Sequence, residues 1–124
     1  MNDSQIRANL NRFFRDVIGC SKVLNNVGAM DMVAITGPIY CIVQITKTIN
    51  QQIIDKAIQH QQKGQYVFIA VNSKNEIPDK YFSNLKKHGI GLLLLVEGEV
   101  NLYLPAKYNP AKGNNDLLEL MRFS

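Results

Sequence analysis

The chain has 124 residues, of which 46% are hydrophobic and 19% are charged. That balance is typical of a globular protein and argues against intrinsic disorder, and the length fits a single domain, residues 1–124. The formal net charge of +4 permits nucleic-acid binding, but a solvated basic surface accounts for the charge equally well.

The sequence lacks the patterns of a zinc site, a secreted protein or a membrane protein. Its two cysteines, Cys20 and Cys41, form no Cys-x-x-Cys motif, and His60 and His88 show no metal-ligand spacing. The opening segment is polar and amphipathic, unlike a signal peptide, and no apolar run approaches the roughly 20 residues that span a bilayer. We therefore expect a cytoplasmic protein in a reducing compartment, with no membrane partner.

The first predicted element is an amphipathic helix over residues 4–17, with Ser4 as its N-cap and Gly19 beyond its end. Its apolar residues recur at helical spacing and predict one buried stripe: Ile6, Leu10, Phe13, Phe14 and Val17. The next segment, residues 20–28, is consistent with a short edge strand that ends in a turn.

Two apolar, partly β-branched runs follow, "MDMVAI" at residues 30–35 and "IYCIVQI" at residues 39–45. The intervening Thr-Gly-Pro is typical of a turn, so the pair predicts an antiparallel hairpin. Both runs are nearly continuous in apolar residues, which predicts a sheet that is covered on both faces.

Helix and strand patterns then alternate. Thr48 and Gln51 predict a capping box at the start of a helix that Gly64 ends. The later predicted elements are a strand (66–72), a helix (77–89), two strands (90–97 and 101–106) and, at "DLLELMRF" (116–123), a final helix or ordered tail. Strand–helix–strand units imply parallel pairing, and the hairpin adds antiparallel pairing, so the fold class is α/β, a mixed sheet flanked by helices.

The element order and the hairpin residues resemble the PD-(D/E)XK nuclease-like superfamily, also called restriction-endonuclease-like. The resemblance covers about residues 4–108 and leaves 109–124 as a C-terminal tail. The superfamily core runs helix, three-strand meander, helix, strand. Its signature is an acid at the start of the second strand, then an acid, one residue and a lysine on the third. Asp31 stands at the first acid; Gln44 and Thr46 stand at the second acid and the lysine, and Lys47 follows one place late.

The resemblance implies a site built on a divalent cation, usually Mg²⁺, with Asp31 and Gln44 as metal ligands. Such a cation polarises the scissile phosphate and lowers the pKa of the attacking water. Gln44 offers an oxygen without charge, and Thr46 cannot supply the positive charge of a lysine. On a regular strand Lys47 faces away from Gln44 and Thr46, because successive side chains alternate; a break or bulge there would change its direction.

The resemblance also suggests residues that contact nucleic acid: Lys22, Lys47, Asn50, Lys56 and Gln61. The lysines would meet phosphates at the mouth of the site. Gln61 stands where the superfamily often has a glutamine beyond the signature, and Asn50 lies in the first helical turn after the site strands. The ordinary alternatives are solvated lysines and, for Gln61, an amide satisfied within the fold.

Three functions remain open from the sequence. We expect a nucleic-acid-associated protein, with DNA as its partner, in which an eroded site no longer cleaves. The first alternative is an active Mg²⁺-dependent endonuclease that uses Asp31, Gln44 and a displaced Lys47. The second is a non-enzymatic homodimer, an interaction or scaffold protein that pairs through a sheet edge or through "LYLPAKY" at residues 102–108.

Overall fold

The computed structural model describes residues 2–73 and 76–110. In chain order its elements are α1 (Asp3–Arg12), a π-helical segment (Phe13–Ile18), β1 (Lys22–Val27), β2 (Met30–Thr36), β3 (Ile39–Thr46), α2 (Gln51–His60), β4 (Tyr66–Val71), α3 (Asp79–His88), β5 (Gly91–Val96) and β6 (Glu99–Leu104). Within the described part of the chain, no helix has the length and apolarity needed to cross a membrane. The segment predicted as a final helix or ordered tail, residues 116–123, lies outside the described residues.

The six strands form one mixed sheet in the order β1-β2-β3-β4-β5-β6. The first three strands are an antiparallel meander, in which Val33 of β2 lies opposite Ile42 of β3. Helical crossovers then place β4 parallel to β3 and β5 parallel to β4, while β6 returns antiparallel to β5. The predicted α/β class, a mixed sheet flanked by helices, is confirmed.

Both faces of the sheet are covered because the central strands are apolar on both sides. On β3, Cys41 and Val43 face the layer of α1, whereas Tyr40 and Ile42 face the layer of α2 and α3. This alternation follows from the period of two in strand side chains. Leu10 and other α1 residues close the first layer, and the second is closed by Ile54, Ala57 and Leu85.

The first helix differs from its prediction at both ends. Its N-cap is Asn2, not Ser4: the Asn2 side chain accepts the backbone N–H of Gln5 at 2.8 Å, and the Gln5 side chain accepts the Asn2 backbone N–H in return. The last turns are π-helical, and Val17, predicted to be buried, is 69% exposed. A wider π turn shifts the register of the residues after it, so Val17 leaves the apolar stripe. Gly19, with φ of 89°, ends the segment as expected.

The second helix begins later than its capping pattern predicted. Asn50 is its N-cap and accepts the backbone N–H of Ile53 at 2.9 Å. Thr48 therefore does not cap the helix; its backbone carbonyl accepts the hydroxyl of Thr46 at 2.8 Å in the connecting turn. Gln51 donates to Asp55 one turn later instead of reaching back to a cap. The Thr46 side chain therefore holds the short turn after β3, and Asn50 begins the helix that follows.

Candidate functional site

Asp31 lies at the start of β2, where its side chain takes the place of a backbone hydrogen-bond acceptor between β2 and β3. The backbone pairing of β2 with β3 ends at Met32 and Val43. Beyond that point Oδ2 of the half-buried Asp31 accepts the backbone N–H of Ile45 at 2.8 Å. The carboxylate therefore satisfies a strand N–H that the diverging backbone of β2 no longer reaches.

The backbone of Asp31 is anchored from α1. Nη1 of Arg7 donates to the Asp31 carbonyl at 2.7 Å and to Oδ1 of Asn25 at 3.3 Å, and Nε donates to Asp3 at 3.0 Å. Arg7 is only partly exposed, so its contact with the Asp31 carbonyl is partly shielded from water. The start of β2 is consequently fixed from both sides, by Arg7 and by the strand beside it.

Gln44 and His60 form a buried polar pair between β3 and α2. Nε2 of His60 lies 3.2 Å from Oε1 of Gln44, and both side chains are buried. Burial lowers the pKa of His60, and the positive charges of Lys56 and Lys63 lower it further, while the negative charge of Asp31 acts against them. The imidazole is therefore neutral near pH 7, and its Nε2–H donates to the amide oxygen.

These electrostatic interactions define the candidate site. Gln44 lies within hydrogen-bond distance of His60, and the charges of Asp31, Lys56 and Lys63 all act on the pKa of that imidazole. We call these five residues the β2–β3 cluster. Of the residues predicted from the sequence, Gln44 contacts His60 directly, and Asp31 and Lys56 act on its pKa through their charges.

His60 was not predicted as a site residue because the two histidines show no metal-ligand spacing, and Lys63 was counted only among the dispersed basic residues. The signal for His60 was its position on α2. It follows Ile54 and Ala57 at intervals of three, which keeps it on the buried face of the helix. A buried histidine needs a hydrogen-bond partner, and Gln44 is the nearest polar group on the strand beneath.

The other two residues of the predicted catalytic set are placed differently. The Thr46 hydroxyl is engaged in the turn after β3, where it donates to the Thr48 carbonyl. Lys47 borders a pocket formed with Asn2, Asp3 and Ile6 at the start of α1. The structure therefore places Lys47 beside α1, away from the α2 layer that holds the Gln44–His60 pair.

Three further predicted contacts with nucleic acid lie outside the β2–β3 cluster. Asn50 caps α2. Gln61 donates from Nε2 to the His88 carbonyl at 2.7 Å and accepts the Asn109 side chain at its own carbonyl, so it connects the carboxyl end of α2 with α3 and with the segment after β6. Lys22 is exposed at the start of β1 and pairs with Ile35, at the opposite end of β2 from Asp31.

The donor atoms at Asp31 and Gln44 do not fit a Mg²⁺ site. Mg²⁺ is bound in proteins through carboxylates and other oxygen ligands in a near-octahedral arrangement. Here the cluster supplies one carboxylate, of which Oδ2 already accepts an N–H, and one amide oxygen, which is bonded to His60. Among the residues described, no group of three or more histidine, cysteine, aspartate or glutamate side chains is arranged around a common metal position.

A separate pocket of about 690 Å³ lies between α3 and the β5–β6 turn. The described residues that line it include Glu76, Asp79 and Glu97, and none of them carries a positive charge.

No protein-family model matches the chain, and no curated protein matches it. Among solved structures, the chain is similar to the SPO1766 protein of unknown function from Silicibacter pomeroyi, with a TM-score of 0.65 and 12% sequence identity. The match covers 98% of this chain and 82% of that chain. At this identity the likeness shows the fold alone: both are α/β proteins with a mixed sheet flanked by helices.

Proposed function

We propose that the chain is a nucleic-acid-binding protein with a restriction-endonuclease-like core that no longer cleaves its partner. The order of the elements supports this proposal. A helix, a three-strand meander, a second helix and a parallel strand follow one another as α1, β1–β3, α2 and β4. Asp31 on β2 and Gln44 on β3 occupy the two acid positions of that core.

The observation that carries the proposal is the composition of the β2–β3 cluster. Lys56 lies on α2 and Lys63 follows that helix, and the positive charges of both lysines lower the pKa of the buried His60. Both lysines are partly exposed. Lysine ammonium groups at such a position attract phosphate oxygens of a nucleic-acid backbone without reading its sequence.

The proposed loss of cleavage follows from two substitutions in the signature of this core and from the displacement of its nearest lysine. Gln44 supplies no charge, and its oxygen is bonded to His60. Thr46 supplies no cation, and its hydroxyl is held in a turn. Lys47 lies at the α1 side. Without a second carboxylate on β3 and a lysine at the position of Thr46, the core lacks the metal ligands and the charge stabilisation that phosphodiester cleavage needs.

Binding and cleavage assays test this proposal separately. Labelled duplex DNA, single-stranded DNA and RNA are titrated with protein between about 50 and 200 mM salt; we expect an affinity for at least one of them that declines steeply with salt. Incubation of all three with Mg²⁺ or Mn²⁺ should give no products. Absence of binding at low salt would contradict the proposal. Cleavage that disappears in Asp31→Ala would replace it with the endonuclease alternative.

A second candidate function is a dimeric interaction protein that pairs through β6. This strand lies at one end of the described sheet, and Leu102 and Tyr103 on it are 48% and 58% exposed. An edge strand with exposed apolar side chains is a template for pairing with another chain. Light scattering after size exclusion tests this candidate: a dimer that becomes a monomer in Leu102→Lys supports it, and a wild-type monomer at high concentration contradicts it.

A further inference from the structure

The outer face of α2 carries amide and ammonium side chains in alternation. Gln52, Lys56, Gln59 and Lys63 follow one another at intervals of four, three and four residues. At about 100° per residue, these positions fall within an arc of about 60°. Lys63 belongs to the turn that directly follows α2, where its N–H donates to the His60 carbonyl at 2.9 Å. We call Gln52, Lys56, Gln59 and Lys63 the α2 stripe.

The α2 stripe lies away from the side of the helix that packs on the sheet. Ile54 and Ala57 are the buried apolar residues of α2. On a helical projection they lie about 130° or more from the centre of the stripe. The two glutamines of the stripe are exposed, and its two lysines are partly exposed. All four polar groups can therefore meet a partner while the other side of α2 stays packed on the sheet.

The two glutamines of the stripe differ from their neighbours in how their amides are used. Gln51 donates to Asp55, the only acid of α2, and Gln61 donates to the His88 carbonyl, so both of these amides are engaged within the fold. In the described part of the chain, by contrast, neither amide of the α2 stripe has a hydrogen-bond partner. The stripe therefore offers two amides that can exchange solvent contacts for contacts with a partner.

Glutamine and lysine recognise different parts of duplex DNA. A glutamine amide pairs with the major-groove edge of adenine, because its NH₂ donates to N7 and its oxygen accepts from the N6 amino group. A lysine ammonium binds phosphate oxygens whatever the sequence. The ten residues of α2 span about 15 Å, and a major groove about 12 Å wide admits an α-helix. The alternation along the α2 stripe therefore matches a groove in which base edges lie between two phosphate backbones.

We propose that α2 is a recognition helix, which enters the major groove of duplex DNA and reads adenine through Gln52 and Gln59 while Lys56 and Lys63 contact the neighbouring phosphates. This inference rests on the nucleic-acid binding proposed above and specifies the partner as duplex DNA. The net charge of +4 favours the approach of such a polyanion. Duplex RNA is a poorer partner, because side chains do not reach the base edges in its deep and narrow major groove.

Replacement of adenine by 7-deazaadenine tests the base contact, because the modified base still pairs with thymine but lacks the N7 acceptor. Two duplexes of alternating adenine and thymine, one of them carrying 7-deazaadenine, are titrated with the full chain and compared by fluorescence anisotropy. We expect the wild type to bind the modified duplex about fivefold or more weakly. The double variant Gln52→Ala/Gln59→Ala should bind both duplexes equally, and its salt dependence should match that of the wild type because no charge is lost.

The matched control is Asn101→Ala, which removes an exposed amide from β6 and should keep the wild-type preference. Equal binding of the two duplexes by the wild type, or a preference that survives in the double variant, would overturn the recognition helix and leave nucleic-acid binding in place. Tighter binding to duplex RNA or to a single strand would do the same. If no nucleic acid binds at all, the proposed function and this inference both fail.

Discussion

Nε2 of His60, at the last residue of α2, lies 3.2 Å from Oε1 of Gln44 on the strand beneath it. The two side chains are 7% and 5% exposed, so the contact is made out of reach of bulk water. A buried hydrogen bond of this kind adds little net stability, but the loss of one partner leaves the other unsatisfied. The hydrogen bond between His60 and Gln44 therefore fixes the position at which the end of α2 packs against β3.

Gln44→Leu and His60→Leu should each destabilise the fold, because each leaves one polar group buried without its partner. We expect each single variant to lose about 1–3 kcal/mol in the free energy of unfolding. The double variant should lose less than the sum, since both polar groups are then absent. Urea denaturation at pH 7.5 measures the three values, with Gln59→Leu, at an exposed position of the same helix, as the control. Additive losses would show that the two side chains are not coupled.

The lowered pKa of His60 predicts a loss of stability in mild acid. Above the ordinary value of 6.5 the imidazole is neutral in both folded and unfolded chains. As the pH falls through that value, His60 is protonated in the unfolded chain but stays neutral in the folded chain, because its pKa there is lower. The free energy of unfolding therefore declines until His60 is also protonated in the folded chain. Denaturation midpoints at about pH 7.5 and 5.5 should differ more in the wild type than in His60→Gln, which cannot titrate. An equal decline in both proteins would contradict the assignment.

Local patterns were sufficient to predict most of the elements. The run "IYCIVQIT" forms β3, in which five of the eight residues are buried in one layer or the other. Gly19 and Gly89 end their helical segments in the left-handed region, as their positions after apolar stripes predicted. The exposure of Val17 was not predicted, because the spacing of apolar residues does not indicate the π turn that exposes it.

The candidate site was predicted less completely because it depends on contacts between distant segments. Asp31 and Gln44 were predicted as site residues because they resemble the two acid positions of the nuclease-like signature, one at the start of a strand and the other near the end of the next. The local sequence does not show that His60 on α2 contacts Gln44 on β3, because this contact depends on how α2 packs across the sheet. The placement of Lys47 likewise depends on α1, more than 30 residues earlier in the chain.

Gly64 lies where the chain passes between α2 and the strands, and we predict that it tolerates no side chain. A Cβ atom there would lie 2.7 Å from Cδ1 and 2.8 Å from Cγ1 of Ile42, and 3.1 Å from the Tyr40 carbonyl oxygen. Gly64→Ala should therefore cost about 1–3 kcal/mol through overpacking. Ile42→Val removes Cδ1 and should restore part of that loss when combined with it. Thermal denaturation of the four proteins measures this coupling; no recovery in the double variant would show that the clash lies with the backbone carbonyl instead.

The proposed nucleic-acid contact predicts that Lys56 and Lys63 contribute more to binding than other lysines. Lys56→Gln and Lys63→Gln each remove one charge near the β2–β3 cluster, so each should weaken binding and reduce the slope of log affinity against log salt by about 0.9 for duplex DNA. The matched controls are Lys86→Gln and Lys87→Gln, which remove the same charge from the exposed last turn of α3. Fluorescence anisotropy at several salt concentrations gives the slopes. Because net charge changes equally in all four variants, a uniform decrease would indicate a general charge effect, and only a selective loss at Lys56 and Lys63 supports a contact at the cluster.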